Sequence, residues 1–219
     1  VSASVTGFAL PEPFLRFELE PALNRLGLLH PIDPARWAEM QRGVRTLGRI
    51  GGPQRVFRHV VAPLANLLGY GPPTRQTPVR TREGLEDGGW LMTPPERVFG
   101  RSGGRLPPSW SGLTRPSQAN GIRVVGSGPA MTGDRLNGPY APLPIWAVGS
   151  DTDLDSPHRS GRAYRFSPTR SAQRVLRARQ CKAGLLTDGA TIRLLLCDAT
   201  APDSTLDVAL TGWDAQDPP

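Results

Sequence analysis

Lysine is all but missing from this chain of 219 residues, for Lys182 is the only one and every other basic side chain is arginine. Cysteine is scarce as well. Cys181 and Cys197 are the two present, and no Cys-x-x-Cys pair or Cys/His spacing suited to zinc occurs. That excludes a disulfide-stapled scaffold and a zinc ribbon, and both thiols are expected to be reduced and partly buried. Aromatic residues make up 6% and hydrophobic residues 38%, which predicts a modest core diluted by irregular segments. No apolar run approaches the roughly 20 residues a membrane span needs, and no apolar signal-peptide stretch stands at the start. A cytoplasmic protein without a membrane partner is expected. Val1 in place of methionine is read as an alternative start codon or the edge of a fragment.

What the chain does have is glycine, proline and positive charge. The 25 glycines and 24 prolines concentrate between the periodic stretches and predict long loops. A formal net charge of +7 and a pI near 10.6 favour polyanionic partners, because clustered cations displace counterions from phosphates. Arginine grips phosphate and guanine better than lysine where geometry matters. A GC-rich coding sequence also produces arginine in place of lysine, and composition does not separate the two explanations.

Helical signals dominate the first third. From Pro11 to Leu29 the apolar residues recur at helical spacing, with an interruption expected near Pro21. Asp33 is positioned to cap a second helix with Pro34 in its first turn; Trp37, Met40, Val44 and Leu47 form its stripe, and Gly51-Gly52 is expected to end it. Gln54 to Tyr70 predicts a third helix, kinked or split by Pro63. Three helices are thus expected before any sheet. Arg42, Arg45, Arg49, Arg55 and Arg58 cluster around the second and third helices, either as a DNA-facing patch or as a solvated face. His30 and His59 lack a partner at useful spacing and read as structural.

The character changes after Gly71. Thr77 to Thr81 and Gly89 to Thr93 read as short strands, and residues 97–120 as a Gly/Pro/Ser-rich loop in which Trp110 either stacks on a base or pins the loop. Gly121 to Gly126 and Leu143 to Gly149 read as buried strands bounded by glycine. The expected organisation is a helical region over 1–71, short strands and loop over 72–120, and a mixed-sheet core over 121–219.

The clearest unit is Ser167 to Asp198. Ser167 is a helix cap followed by Pro168 at the first helical position, and the predicted helix over 168–180 buries Ala172, Val175 and Leu176. Arg170, Arg174 and Arg177, spaced by four and three, share another face. A hairpin over 184–197 follows, turning tightly at Asp188-Gly189.

The order Ser-Pro, arginine-bearing helix, Gly184-Leu-Leu-Thr-Asp-Gly189, then Ile192-Arg-Leu-Leu195 resembles a segment in the N-terminal region of large bacterial DNA adenine methyltransferases, the type IIG restriction–methylation enzymes and their relatives in BREX and DISARM phage defence. The resemblance runs from Pro144 to Asp198 and is weaker upstream, where Leu67-Leu-Gly-Tyr70 is similar to a helix ending in the same proteins. Asp188 stands where those proteins usually carry Asn, and both residues tolerate a left-handed turn.

Many such N-terminal regions are nucleases of the PD-(D/E)xK kind, so the resemblance implies a fold of that type: α/β (α+β), a helical N-terminal part followed by a mixed sheet. The chemistry needs an acid at one strand end and Glu/Asp-x-Lys on the next strand, two carboxylates holding a divalent ion. Here the strand offers Ile145, Trp146, Ala147 and Val148. Asp134 without that partner reads as a turn residue, and the core as a degenerate nuclease. Asp151, Asp153 and Asp155 alternate like a calcium loop but lack its glycine and its terminal glutamate. The same methyltransferase regions carry a strand followed by Asp-Leu-Asp, which accounts for them without a metal.

Methylation itself needs a glycine-bearing S-adenosylmethionine loop and an Asn/Asp-Pro-Pro-aromatic motif. Gly126-Ser-Gly128 is too short for the first, and Asp217-Pro218-Pro219 lacks the aromatic of the second. No catalytic residue, cofactor or metal is assigned. The candidate DNA-binding residues are Arg159, Arg162, Arg165, Arg170, Arg174 and Arg177, which either track a phosphate backbone or pair with the preceding aspartates. The expected function is a DNA-engaging or scaffolding N-terminal region, fragment or separate subunit, of a restriction or phage-defence methyltransferase, partnered by DNA and by a methyltransferase catalytic domain or subunit. An active metal-dependent nuclease using Asp134 and a protein–protein adaptor without DNA contact are the alternatives.

Overall fold

A computed structural model describes residues 3–7, 11–26, 31–48, 51–94, 141–150, 152–157, 166–197 and 203–210. Its centre is a seven-stranded sheet of order β1-β9-β8-β7-β6-β5-β2. The strands are β1 (Ala3–Thr6), β2 (Thr74–Arg75), β5 (Trp90–Met92), β6 (Leu143–Ala147), β7 (Ala183–Thr187), β8 (Thr191–Leu196) and β9 (Ser204–Ala209). Only β6 and β7 pair in parallel, and α5 (Pro168–Ala178) lies in the connection between them; all other neighbours are antiparallel. Helices on one side precede a mixed sheet, as the α+β reading expects. One detail differs. β1 enters the sheet beside β9 ahead of every helix, because the two short strands satisfy each other's backbone groups across the chain's ends.

Strand alternation separates two cores. Ile145, Ala147, Leu185, Trp90 and Met92 face α2 (Pro34–Leu47), α3 (Pro53–Val56), the π-helical segment Phe57–Val61 and α4 (Ala62–Leu67), burying Met40, Leu47, Val56, Val60, Val61 and Leu64. Trp146, Leu186 and Leu195, one residue out of phase, pack with Ala172, Val175 and Leu176 of α5. Gly184 permits this close approach, since a Cβ there would crowd Leu176 and Trp146. The sheet is covered on both faces. A two-stranded hairpin, β3 (Val79–Thr81) with β4 (Gly84–Glu86), lies against α5, and Val79 joins the core there.

Local signals explain the helices. Asp33 accepts the Ala35 amide at 2.9 Å and caps α2, which ends at Gly48 in a left-handed conformation, three residues before the Gly51-Gly52 pair that the sequence suggested. Pro63 does not split the third helical stretch. Because proline lacks the N–H that would return to His59, the preceding turn widens to π geometry and the chain stays helical from Pro53 to Leu67. Gly69 then closes it: Gly69 N–H reaches the Asn66 carbonyl and Tyr70 N–H the Ala65 carbonyl at 2.8 Å. The stretch from Pro11 forms a π segment Phe14–Glu18 and α1 (Leu19–Arg25), with no residue fully buried.

Candidate nucleic-acid interface

α5 begins as its sequence predicts. Ser167 Oγ accepts the Arg170 amide, and Pro168 occupies the first turn. It ends at Ala178 in a Schellman arrangement, Cys181 N–H to the Leu176 carbonyl at 2.8 Å, with Gln180 held at a positive φ of 56°. The following turn is wider than expected. Thr187 pairs with Ile192, and between them the Asp188 side chain accepts the Ala190 and Thr191 amides while Gly189, and not Asp188, takes the left-handed conformation.

The three described arginines of the α5 stripe have three different fates. Arg174 is held inside: its guanidinium bonds Thr81 Oγ1 at 2.7 Å, pairs with Glu83, lies 3.8 Å from buried Glu86 and covers the Phe166 ring at 4.1 Å. Its side chain is 13% exposed. Arg177, largely exposed, pairs with Asp203. Arg170 is exposed, and its guanidinium makes no hydrogen bond or ion pair among the described residues. Neither paired arginine uses the described aspartates preceding α5; their acids come from the β3–β4 hairpin and from the approach to β9. Arg159, Arg162, Arg165 and His158 lie outside the described residues, as do Asp134, Trp110 and the strand expected over Gly121 to Gly126.

The Asp-Leu-Asp segment serves another arginine, one that the sequence reading passed over. Arg193 sits on β8 on the α5 side of the sheet, and its neighbour across the ladder is Asp207 of β9. It donates to both Asp207 oxygens at 2.7 Å, to Asp155 at 2.5 Å and to Thr169 Oγ1 at 2.7 Å, and Thr169 in turn donates to the Leu154 carbonyl at 2.8 Å. The guanidinium is held even more firmly protonated than usual, chiefly by the hydrogen bonds to Asp207, against the opposing effect of burial. Asp153 organises the same loop, accepting the Asp155 amide at 2.9 Å and the Ser156 hydroxyl at 2.5 Å, and its carboxyl is lowered below the ordinary value first by the Ser156 bond and then by the Asp155 amide. The signal was present in sequence: a cation within the apolar run Thr191 to Leu196 and an acid within Ser204 to Ala209, each on a strand.

β5 and β6 are adjacent and antiparallel, and β6 buries Ile145, Trp146 and Ala147. Among the described residues no group of three or more His, Cys, Asp or Glu is placed to hold a metal ion.

Between the β3–β4 turn and α5 lies a cleft of about 500 Å³ lined by Arg80, Thr81, Arg82, Glu83, Arg174, Arg177 and Ala178. Arg80 and Arg82 are exposed, and their guanidinium groups, like that of Arg170, make no hydrogen bond or ion pair among the described residues. No helix among the described residues is long and apolar enough to cross a membrane. Compared with protein-family models, curated proteins and solved structures, the chain has no match.

Proposed function

We propose that this chain is the DNA-engaging or scaffolding N-terminal region, as a fragment or a separate subunit, of a bacterial restriction–modification or phage-defence DNA adenine methyltransferase. The observation that carries the reading is the unit α5–β7–β8. Its residues bear the resemblance to those methyltransferase regions, and they fold together as a capped helix on a hairpin at the middle of the sheet. A degenerate nuclease-type core is the finer part of the proposal. It rests on the resemblance together with the apolar occupants of β6, which leave that strand without an acid-x-lysine pair.

DNA contact on this reading is electrostatic. Arg170 and Arg177 stand on the exposed side of α5, able to approach phosphate oxygens, while Arg174 braces the hairpin that flanks them. Binding of a mixed-sequence duplex by the full chain, measured across a salt series in the presence of Mg²⁺, tests the proposal. Affinity that falls steeply with salt, with the DNA left intact, is the expected result. Mg²⁺-dependent cutting abolished by Asp134→Ala would replace it with the nuclease reading.

One observation favours the adaptor alternative. The helix spanning Phe14 to Arg25 buries none of its residues, and Phe17 and the adjoining Leu26 are 74% and 65% exposed. Absent or salt-insensitive DNA binding, together with a protein partner lost on Phe17→Ser, would establish that role instead.

A further inference from the structure

The cleft beside α5 brings together residues that the sequence separates by about ninety positions and that no sequence motif joined. We infer that it receives a backbone phosphate of nucleic acid, with Arg80 and Arg82 as the gripping residues and Arg177 at the opposite wall; this rests on the DNA-engaging reading above. Three features carry the inference. The first is charge that is not spent internally: Arg174 is committed to Glu83 and Thr81, and Arg177 is paired with Asp203, whereas Arg80 and Arg82 are exposed without such partners among the described residues. Because Glu83, the one acid among the described residues of the lining, is already paired with Arg174, its repulsion of an entering anion is largely offset.

The second feature is rigidity. The hairpin bearing Arg80 and Arg82 is tied to α5 by the Arg174 bond to Thr81, and the segments flanking it are tied by Arg179, which donates to the Thr77 carbonyl at 3.4 Å and the Gly88 carbonyl at 3.3 Å. Gly88 leaves no room for a side chain there, since its Cβ would strike the Thr77 carbonyl. Two guanidinium groups on a braced hairpin lose less freedom on binding than the same groups on a loose loop.

The third is what the lining lacks. Four guanidinium groups, a carboxylate, a hydroxyl and the Ala178 methyl face the cleft, and among the described residues of the lining there is no ring to stack a base. Such a surface offers charge to a phosphodiester and no stacking platform among the described residues, so a contact that does not depend on sequence is the expected outcome.

The test compares the full chain with its Arg80→Gln/Arg82→Gln variant by fluorescence anisotropy on a labelled duplex over a salt series. Both side chains are exposed, so the thermal midpoint should not move and the comparison concerns binding alone. Loss of two phosphate contacts should flatten the plot of log affinity against log salt by about two units and weaken low-salt binding equally on duplexes of unrelated sequence. Wild-type protein that binds no duplex would overturn both this inference and the reading beneath it. A variant that binds with wild-type affinity and slope would overturn this inference alone, as would a sequence-dependent loss. Titration with inorganic phosphate and with a mononucleotide separates the sources of the anion. Saturable binding of either that needs Arg80 and Arg82, with duplex binding unchanged in the variant, would assign the cleft to a small phosphate and overturn the backbone contact.

Discussion

Arg193 and Asp207 face each other across β8 and β9 and share two parallel hydrogen bonds of 2.7 Å, the fork of the guanidinium matched to both carboxylate oxygens. The same guanidinium reaches Asp155 and Thr169. One side chain therefore ties the end of the sheet, the loop after β6 and the first turn of α5 into one network.

Breaking that network should be costly, because a carboxylate would be left facing a core without its cation. Arg193→Met is expected to lower unfolding free energy by about 3–5 kcal/mol in urea denaturation. Adding Asp207→Leu removes the stranded acid, so the double variant should be more stable than Arg193→Met. Equal stabilities would show that the two residues are not coupled.

Arg170 and Arg174 lie one helical turn apart and should behave oppositely. Arg170→Ala, at an exposed position, should change stability by less than about 0.5 kcal/mol. Arg174→Ala removes the brace between α5 and the β3–β4 hairpin and should cost about 2–3 kcal/mol. Hydrogen exchange gives a second readout: faster exchange of the Val79–Thr81 amides is expected in Arg174→Ala only.

Gly43 of α2 crosses the π-helical segment where Pro63 leaves the His59 carbonyl without a backbone donor from residue 63, and a Cβ at Gly43 would collide with that carbonyl. Gly43→Ala should lower the melting temperature despite the better helix propensity of alanine, by about 1–3 kcal/mol of overpacking. Gly52→Ala, with open space around its position, serves as the steric control and should cost only what alanine loses to glycine at the helix N-cap of α3, less than about 1 kcal/mol.

Gln180 terminates α5 with a left-handed backbone, which costs a residue with a Cβ roughly 1 kcal/mol. Gln180→Gly is expected to raise stability by up to about that amount. A thermal midpoint that stays put or falls would mean that the side chain compensates for the strain.

Cys197 supplies a pH dependence. Burial first, and Asp203 second, push its thiol from 9.0 up to about 12. The unfolded thiol ionises at lower pH than the folded one, so the contribution is intact below pH 9.0 and is lost as pH rises toward about 12. Alkaline urea melts should show wild type losing this increment while Cys197→Ala does not; parallel alkaline slopes would contradict it. A thiol reagent near neutral pH should label Cys197 only after unfolding.

Short-range signals were legible. Asp33, Ser167-Pro168, Gly69 and Asp188-Gly189 each act through bonds to residues at most four positions away, so a reader of the chain finds α2, α5, the end of α4 and the β7–β8 hairpin without coordinates. The continuous apolar run from Leu143 to Ala147, closed by Gly149, likewise announces a buried strand. It does not announce its neighbours: β1 beside β9 and β6 parallel to β7 join residues far apart in the chain, and short strands of weak propensity such as Thr74–Arg75 exist only because β5 offers them a ladder.

The arginines divide the same way. Their number, their spacing of four and three on one helix, and the charge of the whole chain are properties of the sequence alone. Which guanidinium is spent on an internal carboxylate was decided by tertiary packing. Glu83, Asp203 and Asp207 reach Arg174, Arg177 and Arg193 only once distant segments meet, and an arginine's role depends on whether a carboxylate arrives before solvent or phosphate does.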